Sequence, residues 1–128
     1  MRKVVILVAV LLSLVGADAV APAATATTYT CHFTSVGPYP DPLYAGYYSG
    51  DTYVPVSGAF SKAAIEAQCL VNLFGISPGT TDGVYGPNTQ SAIKKFQEWA
   101  NTYQHAGLST DGFVGPATWP LLRKYSNN

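Results

Sequence analysis

Two aspartates are the residues of this chain best suited to acid–base chemistry. Asp82 and Asp111 lie 29 residues apart, and a glycine directly follows each of them. A pair of carboxylates at a suitable separation can cleave a glycosidic bond, one as the acid and the other as the base or nucleophile. The two aspartates, however, occupy the same place in a repeated phrase, and this favours a role in holding two turns. We therefore interpret them as structural residues, with catalysis as the alternative.

The other reactive side chains do not match a catalytic or metal-binding pattern. His32 and His105 are far apart, and Ser57 and Ser91 lack the Gly-x-Ser-x-Gly setting of a hydrolase nucleophile. No Cys-x-x-Cys or His-x-x-x-His spacing indicates a zinc site. The sequence therefore predicts no catalytic residue, no metal and no cofactor.

The repeated phrase consists of residues 81–89 and residues 110–118. The first copy reads Thr-Asp-Gly-Val-Tyr-Gly-Pro-Asn-Thr and the second Thr-Asp-Gly-Phe-Val-Gly-Pro-Ala-Thr. Aspartate can accept hydrogen bonds from nearby backbone amides, and glycine adopts turn conformations that side chains disfavour. Proline suits the first position of a helix, and the following threonine is expected to satisfy amides of the first turn. Two such turn-to-helix phrases predict an internal repeat. The expected structural turn residues are Asp82, Gly83, Gly86, Asp111, Gly112 and Gly115.

Apolar residues at helical spacing predict three helices. They should cover residues 61–74, a stretch beginning at Pro87 and a stretch beginning at Pro116, with Gly75 ending the first. Lys94, Lys95, Gln97 and Glu98 would form the solvated face of the second helix. The residues expected to face inward are Ile65, Cys69, Leu70, Leu73, Phe74, Ala92, Phe96, Trp99, Ala100, Tyr103, Trp119, Leu122 and Tyr125. The predicted fold class is all-α, a compact three-helix bundle with an internal repeat.

The chain is expected to have three parts. Residues 1–26 resemble a signal peptide, because a short basic head precedes an apolar run too short to span a membrane. Residues 27–56 are rich in tyrosine, proline and glycine, which predicts an irregular arm with at most a short strand near Tyr53 and Val54. Residues 57–128 form the helical domain. In an exported chain Cys31 and Cys69 are expected to form a disulfide that tethers the arm.

The charge balance limits the choice of partners. Beyond residue 26, five basic side chains accompany six acidic ones, so there is no basic field for nucleic acid or anionic lipid. We expect a secreted monomer, extracellular or associated with the cell wall, that binds neither nucleic acid nor membranes.

Several motifs together resemble the peptidoglycan-binding domain of the PG_binding_1 type. The resemblance covers roughly residues 57 to 125. It is carried by Gln68 to Gly75, the two Asp-Gly phrases, Phe96-Gln97, Gly107-Leu108 and Thr118-Trp119. The family is a three-helix fold with an internal repeat that is commonly appended to enzymes of the bacterial cell wall. The resemblance implies non-catalytic attachment to peptidoglycan.

A peptidoglycan ligand would suit a shallow groove with aromatic walls and a few amide or hydroxyl groups. The candidate ligand-binding residues are Tyr85, Asn88, Gln90, Phe113 and Trp119, although Phe113 and Trp119 also suit a core. Two alternatives stay open. The tyrosine-rich arm could recruit a partner such as a wall hydrolase, or the chain could itself be a minimal cell-wall hydrolase.

Overall fold

The computed structural model describes residues 27–127 and is mostly helical. Three helices, α1 (Lys62–Phe74), α2 (Pro87–Gln104) and α3 (Trp119–Ser126), follow two short strands, β1 (Thr34–Ser35) and β2 (Leu43–Tyr44). The strands pair antiparallel, with Thr34 opposite Tyr44 and Ser35 opposite Leu43. The three predicted helices are thus confirmed. The predicted signal peptide lies outside the described residues.

Local signals fix the ends of the first helix. The Ser61 hydroxyl accepts a hydrogen bond from the Ala64 amide at 3.0 Å, which satisfies one of the free donors of the first turn. Gly75 ends α1 with φ at 118°, in the left-handed region that glycine adopts without steric cost. Its amide hydrogen bonds to the carbonyls of Val71 and Asn72.

The other two helices begin differently from each other. Pro87 occupies the start of α2, as predicted. The helix α3 begins at Trp119 instead of Pro116, because residues 116–118 first form a turn. In that turn the amides of Thr118 and Trp119 both bond to the Gly115 carbonyl at 2.9 Å.

The helices share one core in which Trp119, Tyr85 and Phe96 are the largest fully buried side chains in the described part of the chain. Two residues predicted to face inward, Leu73 and Tyr103, are 48% and 67% exposed. Both lie in the last turns of their helices, on the side of the helix that faces solvent. Conversely, Gln97 was predicted on the solvated face of α2 and is only 1% exposed.

Residues 27–56 pack against α1 and α3. Leu43 and Ala45 are buried, and the Cys31–Cys69 disulfide joins this segment to α1 with a Cα–Cα distance of 5.7 Å. The disulfide confirms the predicted pairing. The predicted strand near Tyr53 was wrong: the carbonyl of Tyr53 accepts a hydrogen bond from Trp119 Nε1 at 2.8 Å, so it bonds to a helix side chain and not to a strand.

A buried ion pair fixes the same segment. Glu66 on α1 and Arg123 on α3 form a salt bridge of 2.7 Å, with side chains 0% and 3% exposed. The Glu66 carboxylate also accepts hydrogen bonds from three backbone amides, those of Ala45, Tyr47 and Tyr48. Arg123 donates to three backbone carbonyls of the segment, those of Leu43, Tyr48 and Gly50. Each charge therefore has its counter-charge and several backbone hydrogen bonds, as a buried ion requires, and only Arg123 Nε is buried without a partner among the described residues.

None of the helices within residues 27–127 has the length and apolar character that a membrane crossing requires.

Candidate functional site

A buried glutamine on α1 holds the first Asp-Gly turn. Gln68 is fully buried, and its Oε1 accepts a hydrogen bond from the Gly83 amide at 2.9 Å. Its Nε2 lies within hydrogen-bonding distance of three acceptors, Asp82 Oδ1 at 3.3 Å, the Val84 carbonyl at 3.1 Å and Thr89 Oγ1 at 2.9 Å. One amide group thus joins a helix, the turn and the first residues of α2.

A second glutamine, on α2, holds the second turn with the same set of contacts. Gln97 Oε1 accepts from the Gly112 amide at 2.9 Å. Its Nε2 faces Asp111 Oδ1 at 3.3 Å, the Phe113 carbonyl at 2.8 Å and Thr118 Oγ1 at 3.2 Å. Every partner lies 29 residues after its counterpart at the first turn. The two turns are therefore built by one geometry used twice.

Each aspartate also bonds within its own turn. Asp82 Oδ1 accepts from the Val84 amide at 2.9 Å, and Asp111 Oδ1 accepts from the Phe113 amide at 2.9 Å. The threonines act differently from the expectation. The structure shows no side-chain cap at the start of α2, and the hydroxyls of Thr89 and Thr118 instead accept hydrogen bonds from Gln68 and Gln97.

The anchoring role of the two glutamines was missed by helical periodicity, which counts polar residues as solvent-facing. A usable signal existed, since Gln68 and Gln97 are themselves separated by the 29-residue offset of the two phrases. A polar residue that recurs at a repeat offset on an otherwise apolar face indicates a buried hydrogen-bonding role.

Tyr85 connects the two turns. Its side chain is fully buried and its hydroxyl donates to the Gly112 carbonyl at 2.8 Å. Its ring stacks on that of Phe113, with centroids 5.7 Å apart. Burial raises the pKa of the Tyr85 phenol well above its ordinary value of 10.0, because the phenolate would lose its solvation.

The second turn requires glycine at position 112. Gly112 has φ of 81°, and a Cβ there would lie 2.8 Å from the Gln90 carbonyl oxygen. A side chain would therefore meet both unfavourable backbone torsion and fixed backbone atoms. The close approach lets the start of α2 pack directly on the second turn.

A cleft lies beside each turn. The first cleft has a volume of about 200 Å³ and is lined by Pro78, Thr80, Asp82, Val84, Gly86, Pro87, Asn88 and Thr89. The second cleft has a volume of about 140 Å³ and is lined by Gln97, Leu108, Ser109, Asp111, Phe113, Gly115, Pro116, Ala117 and Thr118. Seven lining positions of the first cleft have a counterpart 29 residues later in the second cleft, and five of these pairs carry the same or a closely similar residue. The main differences are Asn88 against Ala117 and Val84 against Phe113.

The structure separates the five candidate ligand-binding residues. Asn88 is exposed in the first cleft and Phe113 is half-buried in the second. Gln90 lines neither cleft, and its Nε2 is engaged by Ser57 Oγ at 2.8 Å and the Tyr85 carbonyl at 3.2 Å. Tyr85 and Trp119 are both 0% exposed, so in this conformation neither offers a surface to a ligand. Their observed contacts are those of core residues.

Within residues 27–127, no group of three or more histidine, cysteine, aspartate or glutamate side chains is arranged to hold a metal ion.

Comparison with known proteins identifies the family. Residues 61–122 match the PG_binding_1 family of peptidoglycan binding domains. An uncharacterised protein in the bpoA1 3′ region of Kitasatospora aureofaciens is 35% identical over 95 residues, which are 73% of this chain and 74% of that protein.

A solved structure has a similar fold. It is the peptidoglycan-binding protein from Clostridioides difficile in complex with glutamine hydroxamate, with a TM-score of 0.54 and 26% sequence identity. The match covers 68% of this chain and spans 61% of the C. difficile chain. Taken with the sequence match and the three helices, these likenesses show that this chain belongs to the PG_binding_1 family of peptidoglycan-binding domains.

Proposed function

We propose that this protein is a secreted, non-catalytic module that binds bacterial cell-wall peptidoglycan at the clefts beside its two Asp-Gly turns. The observation that carries the proposal is the pair of equivalent clefts, both within the residues that match the family. We interpret the two turns and clefts as an internal repeat, since the buried glutamines give both the same hydrogen bonds.

The first cleft is the better ligand site of the two. It is the larger, and it presents the Asn88 amide where the second cleft has the methyl group of Ala117. An exposed asparagine amide can donate and accept hydrogen bonds at once. The sugars and stem peptides of peptidoglycan offer amides, hydroxyls and carboxylates that match such a group. The proline and valine side chains of the cleft supply an apolar wall for the body of the ligand.

The disulfide supports the proposal that the protein is exported from the cell. A disulfide such as Cys31–Cys69 persists in oxidising compartments and is rare in the cytosol. The predicted signal peptide at residues 1–26 would bring the chain to such a compartment. A weak single site is sufficient at a wall, because many copies of the ligand allow rebinding.

Co-sedimentation with purified sacculi tests the proposal. The unaltered protein should move to the pellet, and Asn88→Ala should weaken binding by roughly fivefold, the worth of one hydrogen bond of about 1 kcal/mol. Asn72→Ala is the matched control, because Asn72 is an exposed asparagine on α1 that lines neither cleft. An unaltered protein that stays in the supernatant at low salt would refute the binding, and equal losses from both variants would refute the cleft assignment.

A second measurement addresses catalysis. Purified protein incubated with a peptidoglycan suspension should leave the turbidity unchanged and should release no soluble fragments detectable by chromatography. Clearing of the suspension that disappears in Asp82→Asn or Asp111→Asn would contradict the non-catalytic proposal. Asparagine retains an oxygen that can accept from the turn amide, so these variants should remain folded.

A further inference from the structure

A third cavity lies outside the two turn clefts, between residues 40–51 and helix α3. It has a volume of about 320 Å³, the largest among the cavities described in residues 27–127. Its walls include Pro40, Tyr44, Asp51, Pro120, Arg123 and Lys124. All of these except Pro120 lie beyond residues 61–122, so nearly the whole cavity is built by parts of the chain outside the family match.

The walls of this cavity are held in place from both sides. Arg123 is fixed by Glu66 and by three backbone carbonyls, and its guanidinium carbon lies 4.3 Å from the centroid of the Tyr44 ring. Asn127, just after α3, donates to the Asp41 carbonyl at 2.8 Å and thereby fixes the loop that carries the prolines. A cavity with fixed walls loses little conformational entropy when a ligand binds.

The charges at the cavity are of opposite sign and are not paired with each other. Glu66 neutralises Arg123 within the core. Asp51 and Lys124 also line the cavity, yet within residues 27–127 the only ion pair closer than 4.0 Å is Arg123–Glu66. Lys124 Nζ lies 5.1 Å from the centroid of the Tyr125 ring, with no carboxylate within 4.0 Å among the described residues. The cavity is therefore lined by one acidic and one basic residue, neither of them in an ion pair, beside proline and tyrosine side chains.

We propose that this cavity binds a zwitterionic amino-acid group. A ligand carboxylate would pair with the Lys124 ammonium, and a ligand ammonium on the same carbon would pair with the Asp51 carboxylate. The ligand's carbon chain would lie along Tyr44 and the prolines. A simple anion is disfavoured because Asp51 would repel it, and a simple cation is disfavoured because of Lys124.

A neighbouring cavity gives the ligand room to extend. It has a volume of about 200 Å³ and shares Tyr44 and Ser49 with the third cavity. A diamino acid whose far end is free could therefore place that end beside Asp51 and Lys124 while its stem continues along Tyr44. In the cell wall, such a free end would belong to a stem peptide that is not crosslinked. Only this identification of the natural ligand rests on the proposed function; the binding site itself does not.

Titration of the isotopically labelled protein with 2,6-diaminopimelic acid, followed by nuclear magnetic resonance, tests the site. The amides of Ser49, Asp51 and Lys124 should shift in a saturable way. Asp51→Asn and Lys124→Gln should each weaken binding by tenfold or more, because each removes one charge-assisted hydrogen bond. The matched controls are Glu98→Gln and Lys95→Gln, which remove one carboxylate and one ammonium charge at exposed positions of α2, and they should leave binding unchanged.

Derivatives of the probe distinguish charge recognition from apolar packing. The fully N-acetylated probe lacks the ammonium groups and should bind at least tenfold more weakly than the parent. Equal binding of both probes, shifts confined to the turn clefts, or equal losses from the α2 controls would overturn the proposal. Asp51 is exposed and Lys124 half-buried, and neither belongs to an ion pair among the described residues, so neither substitution is expected to unfold the domain.

The two proposals fail separately. If sacculi are bound but 2,6-diaminopimelic acid is not, the third cavity is not the site inferred here and the wall-binding function stands. If the amino acid is bound but sacculi are not, the cavity stands and the proposed function is wrong.

Discussion

Replacement of Gln97 by methionine tests the central structural claim, that a buried glutamine holds each turn. Methionine has nearly the same length and volume as glutamine, so the change removes the amide group without leaving a large cavity. Gln97 is 1% exposed and its amide contacts four partners, the Gly112 amide, the Phe113 carbonyl, Asp111 and Thr118.

The expected cost follows from those contacts. The Gly112 amide is buried and would lose its acceptor, which costs about 1–3 kcal/mol. The Phe113 carbonyl and the side-chain oxygens of Asp111 and Thr118 would each lose a donor, and each loss should add about 0.5–1 kcal/mol. We therefore expect the free energy of unfolding to fall by roughly 2.5–6 kcal/mol, a large part of the 5–15 kcal/mol typical of a domain.

Urea unfolding followed by tryptophan fluorescence measures this change. Trp119 is fully buried, so its emission should report loss of the core. With a slope of about 2 kcal/mol per molar urea, the midpoint should fall by roughly 1–3 M. Gln68→Met should have a similar effect because Gln68 makes the same contacts at the first turn. Glu98→Met, next to Gln97 but exposed, should change the midpoint by less than about 0.3 M. A loss below about 1 kcal/mol for both glutamine variants would refute the reasoning.

Three further predictions concern the attachment of residues 27–56 and the link between the turns. The double variant Cys31→Ser and Cys69→Ser should lose about 4 kcal/mol of stability in urea unfolding, since the disulfide closes a loop of 38 residues; the same midpoint with and without the bond would contradict this. Glu66→Gln should cost about 3–5 kcal/mol because it leaves Arg123 buried without its counter-charge, and adding Arg123→Met should recover part of the loss; a double variant no more stable than Glu66→Gln would argue against the pairing. Tyr85 should make the fold sensitive to alkali. Burial raises the pKa of its phenol in the folded state above the ordinary value of 10.0, so the unfolded chain releases the proton at a lower pH than the folded chain. The free energy of unfolding therefore falls as the pH rises above about 10. The urea midpoint measured between about pH 9 and about pH 11 should decline less steeply in Tyr85→Phe than in the unaltered protein, and equal slopes would disprove the assignment.

The local features of the fold could be predicted because they depend on neighbours within a few residues. The Gly75 helix end and the Pro87 helix start follow from the backbone preferences of glycine and proline, and both were predicted correctly. The disulfide could also be predicted, since a chain with only two cysteines leaves one possible intramolecular pair. Sequence motifs likewise sufficed to identify the family that the comparisons show.

The residues that matter most for the sites were decided by tertiary structure. Helical periodicity assigned Gln97 to solvent because it weighs each side chain by its polarity, yet the second turn folds over that side chain and satisfies its amide. Tyr85 seemed available to a ligand, and packing against Phe113 and the second turn buries it. Burial depends on which distant segment covers a residue, and no local pattern contains that information.

The same reason explains the third cavity. By itself the sequence determined two turn-to-helix phrases, three apolar helix faces and a cysteine pair. Only the tertiary structure brought Glu66 to Arg123 across 57 residues, and with that pair it brought Asp51 and Lys124 to one cavity. Local backbone preferences act over a few residues, and they can therefore be predicted from the sequence of those residues alone. The pairing of charges and the enclosure of a cavity arise only when segments that are remote in the chain pack together.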